Sequence, residues 1–294
     1  MNGNRSSGSL EDRRARRDER RTKQREQNVF RAEAMHRARL AFEAEDHPSL
    51  SGTVTAHNVG CSGWFYWHWR RGFYPPDSTP NSWFKYYAER FNTVELNAPF
   101  YSWPTMATVE SWLRQCDARP FIYTVKANEL ITHTRRFERT ESLVRDFGLI
   151  ADLLGPHMGC LLFQLPPSFH YTAGRLHSIV GQLDPRRRNV VEFRHPSWWQ
   201  ESVYDAFREA GIIFCSCSGP RLPDELIKTA DDVYLRFQGT VNWYRHNYTD
   251  DELHAWAARV RECRPAHVWA YFNNDYEANA VRNAGTFRRL LLGA

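Results

Sequence analysis

No run of about 18 apolar residues occurs anywhere in the chain, which removes the usual signature of a membrane-spanning helix. No apolar segment follows the paired arginines near the polar N-terminus, so a secretory signal is not expected either. Cysteine is sparse, with six residues scattered at 61, 116, 160, 215, 217 and 263. None forms a CxxC pair, and Cys215-Ser216-Cys217 stands too isolated for a zinc site. Reduced thiols in a cytoplasmic protein are the expectation. P-loop, GxGxxG and GxSxG patterns are all missing, which excludes the phosphate-cradling loops and the nucleophile elbow that they encode. With no HxH or HExxH spacing, neither a metal nor a cofactor is expected.

What is present is aromatic and evenly charged. The 294 residues are 42% hydrophobic, enough for one large core or two small ones. Eleven Trp, 13 Tyr and 18 Phe offer area for burial and faces for stacking on sugars or bases. The formal net charge is +5, and residues 1–50 hold 12 Lys/Arg against 9 Asp/Glu. The remaining body is therefore only weakly basic, a mild pointer to an anionic partner.

Residues 1–12 are rich in Gly, Ser and Asn and read as disordered. Arg13–Gln27 is charged throughout and reads as a solvated helix with mixed i,i+4 pairs. Sparse apolar positions follow at Val29, Phe30, Met35, Leu40 and Phe42, and EDHPSLSGT reads as a linker ending near Gly52. The chain thus divides into a basic extension over 1–52 and a folded domain over 53–294. The extension is either a solvated, partly helical tail or an arm for nucleic acid or another acidic partner.

From about residue 55 short apolar runs alternate with helical patterns. Strands are predicted at 56–60, 93–97, 121–126, 159–165, 189–194, 212–217, 233–239 and 267–275. Helical segments separate most of them; the connection between the sixth and seventh is short, without a clear helix. Alternation of this kind implies a parallel sheet, and eight units in about 240 residues fit a TIM (β/α)8 barrel.

Side-chain parity sharpens the prediction. Residues i and i+2 share a face of a strand. Val94 and Leu96 oppose Thr93, Glu95 and Asn97; Val191 and Phe193 oppose Glu192 and Arg194; Leu235 and Phe237 oppose Arg236 and Gln238. Lys126 shares a face with Ile122 and Thr124, and Gln164 with Leu162. One face stays apolar while the other turns polar towards the C-terminal end, as expected of a barrel whose lumen opens into a site at its top. Ionised groups in a lumen cost several kcal/mol each unless paired or hydrated. A set of them on five strands therefore points to a site, the alternative being salt bridges that only fill space.

The segments GCSGWFYWHWRRGFYP, FNTVELNAPFY, ITH, QLPPSF, VVEFRHPSW, VYLRFQG and YFNND follow one another in this order. Together they resemble the domain of unknown function 72 family, the YecE-like proteins, over about Asn58 to Leu292. The resemblance implies a TIM barrel and a site at its mouth; it names no reaction. Two positions depart from the family pattern. The seventh-strand motif R-x-H-G has Gln238 where the family has His, which puts in doubt any mechanism needing a titrating imidazole there. Pro99 stands before Phe100-Tyr101 where the family tends to have a small or hydroxyl residue, which restricts the local backbone.

The chemistry follows from the lumen residues. Glu95 and Glu192 are candidates for an acid–base pair, as in glycoside cleavage, unless each neutralises Lys126, Arg194 or Arg236. Lys126 is a candidate anion ligand, base or Schiff-base amine. Asn97, Gln164, Arg194, Arg236, Gln238, Asn273, Asn274 and Asp275 are candidate ligand-binding groups, the arginines suiting phosphate or carboxylate. His133 and His195 are candidate acid–base groups or loop anchors. Trp64 to Trp103 holds 15 aromatic residues; most are expected to pack a lid, with Trp64 or Tyr101 facing a ligand. The function expected is hydrolysis or isomerisation of a small polar, anionic or sugar-like molecule. Nucleic-acid binding or processing and a non-catalytic scaffold are the alternatives.

Overall fold

The structure is a computed structural model that describes residues 10–45, 54–70, 72–116 and 119–293. Eight parallel strands form a nearly closed barrel: β1 (His57–Cys61), β2 (Thr93–Leu96), β3 (Ile122–Lys126), β4 (Met158–Gln164), β5 (Asn189–Glu192), β6 (Ile213–Ser218), β7 (Val233–Phe237) and β8 (Val268–Phe272). Every predicted strand is present, and β6 and β7 are joined without a helix. The helices are α1 (Leu10–Glu43), α2 (Pro80–Ala88), α3 (Ala98–Tyr101), α4 (Met106–Cys116), α5 (Glu141–Leu154), α6 (Ala173–Gln182), α7 (Glu201–Ala210), α8 (Asp250–Cys263) and α9 (Asn279–Leu292). Pro99 fits the first turn of α3, where a missing N–H costs nothing. Among the described residues no helix is long and apolar enough to cross a membrane.

Parity holds around the barrel. Val94, Leu96, Val191, Phe193, Leu235 and Phe237 face outward into the core shared with the helices. Ile122, Cys160, Leu162, Val190, Ile213, Tyr234, Trp269 and Tyr271 form a second apolar cluster, which fills the lower lumen. Tyr271 is held there by the Thr93 and Thr124 hydroxyls, each 2.8 Å from its phenol oxygen. The polar residues stand above this plug, so the lumen is a packed core with a charged top.

The hydrogen-bonded order runs from β1 through β8 and back to β2, so β1 and β2 meet without a ladder. Side chains close that gap. The Tyr87 phenol accepts from the Cys61 amide (2.7 Å) and donates to the Thr93 carbonyl (3.0 Å). Asn92 and Asn97 donate across the same join to the His57 and Ser62 carbonyls. Gly60 permits the approach, because a Cβ there would lie 2.2 Å from the Thr93 oxygen.

The N-terminal extension is helical, as expected over Arg13–Gln27, but its helix is longer and docked rather than solvated. Residues 10–43 are one continuous helix that docks on the barrel along α5. Met35 and Ala32 are buried, Ala38 and Phe42 pack partly buried against the same core, and polar residues make the remaining contacts. Asn28 donates to the Tyr101 carbonyl (3.0 Å) and accepts from the Trp103 amide (2.9 Å). Arg39 Nε donates to the buried Asp146 (2.7 Å). Arg21 and Arg25 reach Glu129. Of the segment read as disordered, residues 10–12 begin α1 and the others lie outside the described residues. The boundary near residue 52 falls in 46–53, also outside them.

The close approach at the β1–β2 join predicts a contrast between two glycines. Gly60→Ala forces the strands apart and should cost about 3 kcal/mol or more. Gly181→Ala in α6 meets nothing within 4 Å and should stay within about 1 kcal/mol of the parent protein. Urea unfolding midpoints of the two variants check this.

Candidate functional site

The top of the lumen is organised by Arg236, wholly buried on β7. Its Nε and Nη2 donate to the two oxygens of Glu95 on β2 (2.9 and 2.6 Å), and its Nη1 donates to Glu192 on β5 (2.5 Å). Glu95 accepts further bonds from Ser62 (2.8 Å) and Tyr234 (2.6 Å). The other oxygen of Glu192 receives Arg194 Nε, and Arg194 Nη2 donates to Gln238 Oε1 (2.7 Å). Gln238 Nε2 stands 3.3 Å from Glu192. Charge-assisted bonds of this density satisfy both carboxylates in a place where an unpaired one would be very costly.

Lys126, at the end of β3, is bound differently. Its Nζ donates to Gln164 Oε1 (2.8 Å) and lies 4.0 Å from the centre of the Phe100 ring. Gln164 Nε2 is tied to the Leu165 carbonyl (2.8 Å), which fixes the amide with its oxygen towards the lysine. Burial, helped by Arg236 and Arg194 and opposed by Glu192, pulls the Lys126 ammonium from 10.5 down to about 7. Burial pushes Glu192 up, but Arg194 and Arg236 outweigh it and hold the carboxyl at about 2. His133 is brought down to about 4 by burial and then by Lys126 and Arg136, so its imidazole is neutral. Burial lifts the Cys217 thiol beside this cluster to about 12, so it is no thiolate nucleophile near neutrality.

The expected site residues divide into three groups. Glu95, Lys126, Gln164, Glu192, Arg194, Arg236 and Gln238 converge on the cluster just described. A second group lies on the rim. Asn97 donates to the Ser62 carbonyl (3.2 Å), and its Oδ1 is buried without a hydrogen-bond partner among the described residues. His133 stands edge-on to Phe100 (4.8 Å). Asn273 continues the inward parity of Tyr271. Asp275, raised chiefly by burial, pairs with His68 (3.3 Å).

The third group lies away from the charged cluster. Asn274 points outward, because it follows Asn273 by one residue and takes the opposite parity; its Nδ2 donates to the His246 carbonyl and to Asn283 of α9. His195 stacks on His170 (3.8 Å) and bonds Ser197 (2.8 Å). Trp64 packs edge-on to Phe84 (5.2 Å). Tyr101 is 58% exposed, beside α1. The aromatic loop after β1 packs largely on itself, with Tyr74 stacked on Trp83 (4.7 Å).

Ser62 and Tyr234 complete the cluster and are absent from the expected set. Ser62 lies one residue beyond β1, in the GCSGW segment. Tyr234 shares the parity of Arg236, a signal hidden by its apolar neighbours.

A cavity of about 1360 Å³ lies at the opposite, N-terminal end of the barrel. Phe42 and Val54, which flank residues 46–53, form part of its wall. Its arginines are already committed: Arg186 to Asp184, Arg187 to Asp152 and Arg188 to Asp232. Lys228 on the same wall is only half-buried and bonds the Cys263 and Arg264 carbonyls, whereas the mouth holds a buried cation, Lys126, with no carboxylate bonded to it among the described residues, which makes the mouth the better candidate.

Removing Arg236 strands two buried carboxylates. Arg236→Met should cost about 3–5 kcal/mol, and much of this should return in the triple variant Glu95→Gln/Glu192→Gln/Arg236→Met, as denaturant unfolding would show. Because Glu192 titrates lower when folded, its stabilising share is full above pH 4.5 and fades as pH falls towards about 2. Glu192→Gln should remove that part of the acid sensitivity, measurable as the unfolding midpoint against pH.

Comparison with known proteins agrees with this architecture. The family described as "Protein of unknown function DUF72" matches residues 58–293. UPF0759 protein YunF of Bacillus subtilis (strain 168) is 25% identical over 273 residues, covering 79% of this chain and 94% of its own length. The crystal structure of a DUF72 family protein from Thermotoga maritima has a TM-score of 0.72 at 27% identity, over 81% of this chain and 100% of its own. A DUF72 family protein from Enterococcus faecalis V583, at 18% identity, shares the fold with a TM-score of 0.69 over 80% of this chain and 95% of its own. Helix α1 lies outside the residues the family matches.

Proposed function

The chain belongs to the DUF72 family, and from that premise we propose that it is an enzyme acting at the barrel mouth on a small anionic or sugar-like molecule, by hydrolysis or isomerisation. The observation that carries the reading is the charge count at the top of the lumen. Lys126, Arg194 and Arg236 face two carboxylates, Glu95 and Glu192, and among the described residues Lys126 has only an amide oxygen as its hydrogen-bond partner. With Lys126 protonated the cluster carries one positive charge in excess, which an anionic ligand would balance. With Lys126 neutral it holds a base near its working pH.

The roles follow from the geometry. Lys126 carries the proton. Arg194 and the unpartnered Oδ1 of Asn97 meet the ligand, with Asn273 and His133 on the rim. Glu95 and Glu192 hold Arg236 in place; in this reading they are not the acid–base pair that their residue type suggests, since Glu192, held at about 2, is a poor acid near neutrality and both oxygens of Glu95 are taken by Arg236, Ser62 and Tyr234.

Thermal unfolding against sugar phosphates and sugar acids tests the proposal. A ligand at 100 times its Kd should stabilise the protein by about 2.7 kcal/mol, and Lys126→Met/Arg194→Ala should abolish the shift. A shift that survives in that variant contradicts the site, and the absence of any shift across both classes contradicts the substrate class.

A second reading rests on α1. Arg13, Arg14, Arg16, Arg17 and Arg20 are exposed along its N-terminal half, where they would contact nucleic-acid phosphates. Binding of this kind weakens steeply with salt; salt-insensitive binding, or none at low salt, excludes it.

A further inference from the structure

We propose that Lys126 is a covalent nucleophile, condensing through its ε-amine with the carbonyl of a small aldehyde or ketone that also bears a carboxylate or phosphate. This deepens the reading of the mouth as a catalytic site and rests on it.

The first observation is the choice of cation. Of 39 Lys and Arg residues, only four are lysines, at 23, 85, 126 and 228. Arginine is the cation this chain uses almost everywhere, including Arg194 and Arg236 beside Lys126. A guanidinium stays protonated and forms no imine, whereas an ammonium can lose its proton and become a nucleophile. The other three lysines have surface positions: Lys23 pairs with Glu19 (2.7 Å), Lys85 is exposed, and Lys228 bonds the Cys263 and Arg264 carbonyls. Only Lys126 is placed in the lumen.

The second observation is how the amine is held. Gln164 takes one N–H through an oxygen whose orientation is fixed from Leu165. A neutral amine held by one donated bond keeps its lone pair for attack. The Phe100 ring, 4.0 Å away, shields one side from water, and among the described residues no carboxylate forms an ion pair with the amine. A desolvated amine beside other cations is the usual activated form of a Schiff-base lysine.

The third observation supplies the anion handle. Arg194 commits Nε to Glu192 and Nη2 to Gln238, and its Nη1 has no hydrogen bond among the described residues. At 10% side-chain exposure it stands, with Lys126 at 9%, among the few open groups of the cluster.

In the reaction, the amine lone pair attacks the carbonyl carbon and forms a C–N bond. The C=O π pair moves to oxygen, which takes up the proton given by nitrogen. The carbinolamine hydroxyl then takes up a proton from solvent, its C–O bond breaks to release water, and the nitrogen lone pair forms C=N, leaving a protonated imine. Amine, carbonyl and one proton give protonated imine and water, with no oxidant or reductant consumed. The protonated imine acidifies the neighbouring C–H, in keeping with isomerisation.

The test is reductive trapping on the full chain. The protein is incubated with pyruvate, glyoxylate, dihydroxyacetone phosphate or glyceraldehyde 3-phosphate in the presence of cyanoborohydride, and the modified lysines are mapped by peptide mass spectrometry. Labelling of Lys126 should exceed that of Lys85 by about tenfold or more, since an ordinary surface lysine is almost wholly protonated at neutral pH. The two oxo acids against the two phosphates identify the anion. Lys126→Arg keeps the charge and should lose the adduct, while Arg194→Ala should lower trapping of the preferred compound. No adduct at Lys126, or labelling spread evenly over the four lysines, overturns the proposal. If a ligand then still stabilises the protein through the mouth, the enzymatic reading survives without covalent chemistry; if none does, both fall together.

Discussion

The guanidinium of Arg236 is the fixed point of this barrel. Three of its nitrogens are bound by Glu95 and Glu192, which come from β2 and β5, well separated around the barrel. A charge so deep requires partners of opposite sign with nearly full hydrogen bonding, and the two carboxylates meet that requirement. Their commitment leaves Lys126 without an anion of its own. Burial, with Arg236 and Arg194 close by, lowers the affinity of Lys126 for its proton, and the carboxylates that oppose this are held by Arg236. Gln238 fits the same logic: a neutral amide bridges Arg194 and Glu192 without adding a titrating group of its own.

The β1–β2 join links this chemistry to the fold. Tyr87 and Asn97 bridge strands that share no ladder, and Ser62, just past β1, bonds Glu95 from across the same join. The place where the barrel is weakest in backbone bonds is where the site's hydrogen bonds cross. Helix α1 extends the support outward: Asn28 binds the backbone on either side of Ser102, close to Phe100, whose ring covers Lys126.

Period-2 alternation is a strong signal when one face of a strand meets helices and the other a lumen, so the eight strands and the inward set from Glu95 to Gln238 were legible in the sequence. The roles within that set were not. Nothing in TVELN or VYLRF says that one arginine will occupy both glutamates, because the pairing joins residues more than 40 positions apart through barrel closure. Asn274 was misplaced because a strand end was read as a polar cluster without applying parity to each residue. Helix α1 escaped detection as a docked element because its buried stripe is Asn28, Ala32, Met35 and Arg39. A stripe that mixes polar and apolar residues in this way has a weak hydropathy signature, and its partner Asp146 lies in a helix that reads as ordinary amphipathic sequence.

The chemistry of the barrel mouth turns on the protonation state of one amine, and the direct measurement is NMR titration of the protein with isotope-labelled lysine side chains. Four lysines give four Cε/Nζ signals. One signal, missing from Lys126→Met, should titrate at about 7. If instead all four titrate above about 10, as free lysines do, then Lys126 is an ordinary ammonium and the charge balance around Arg236 does not act as described.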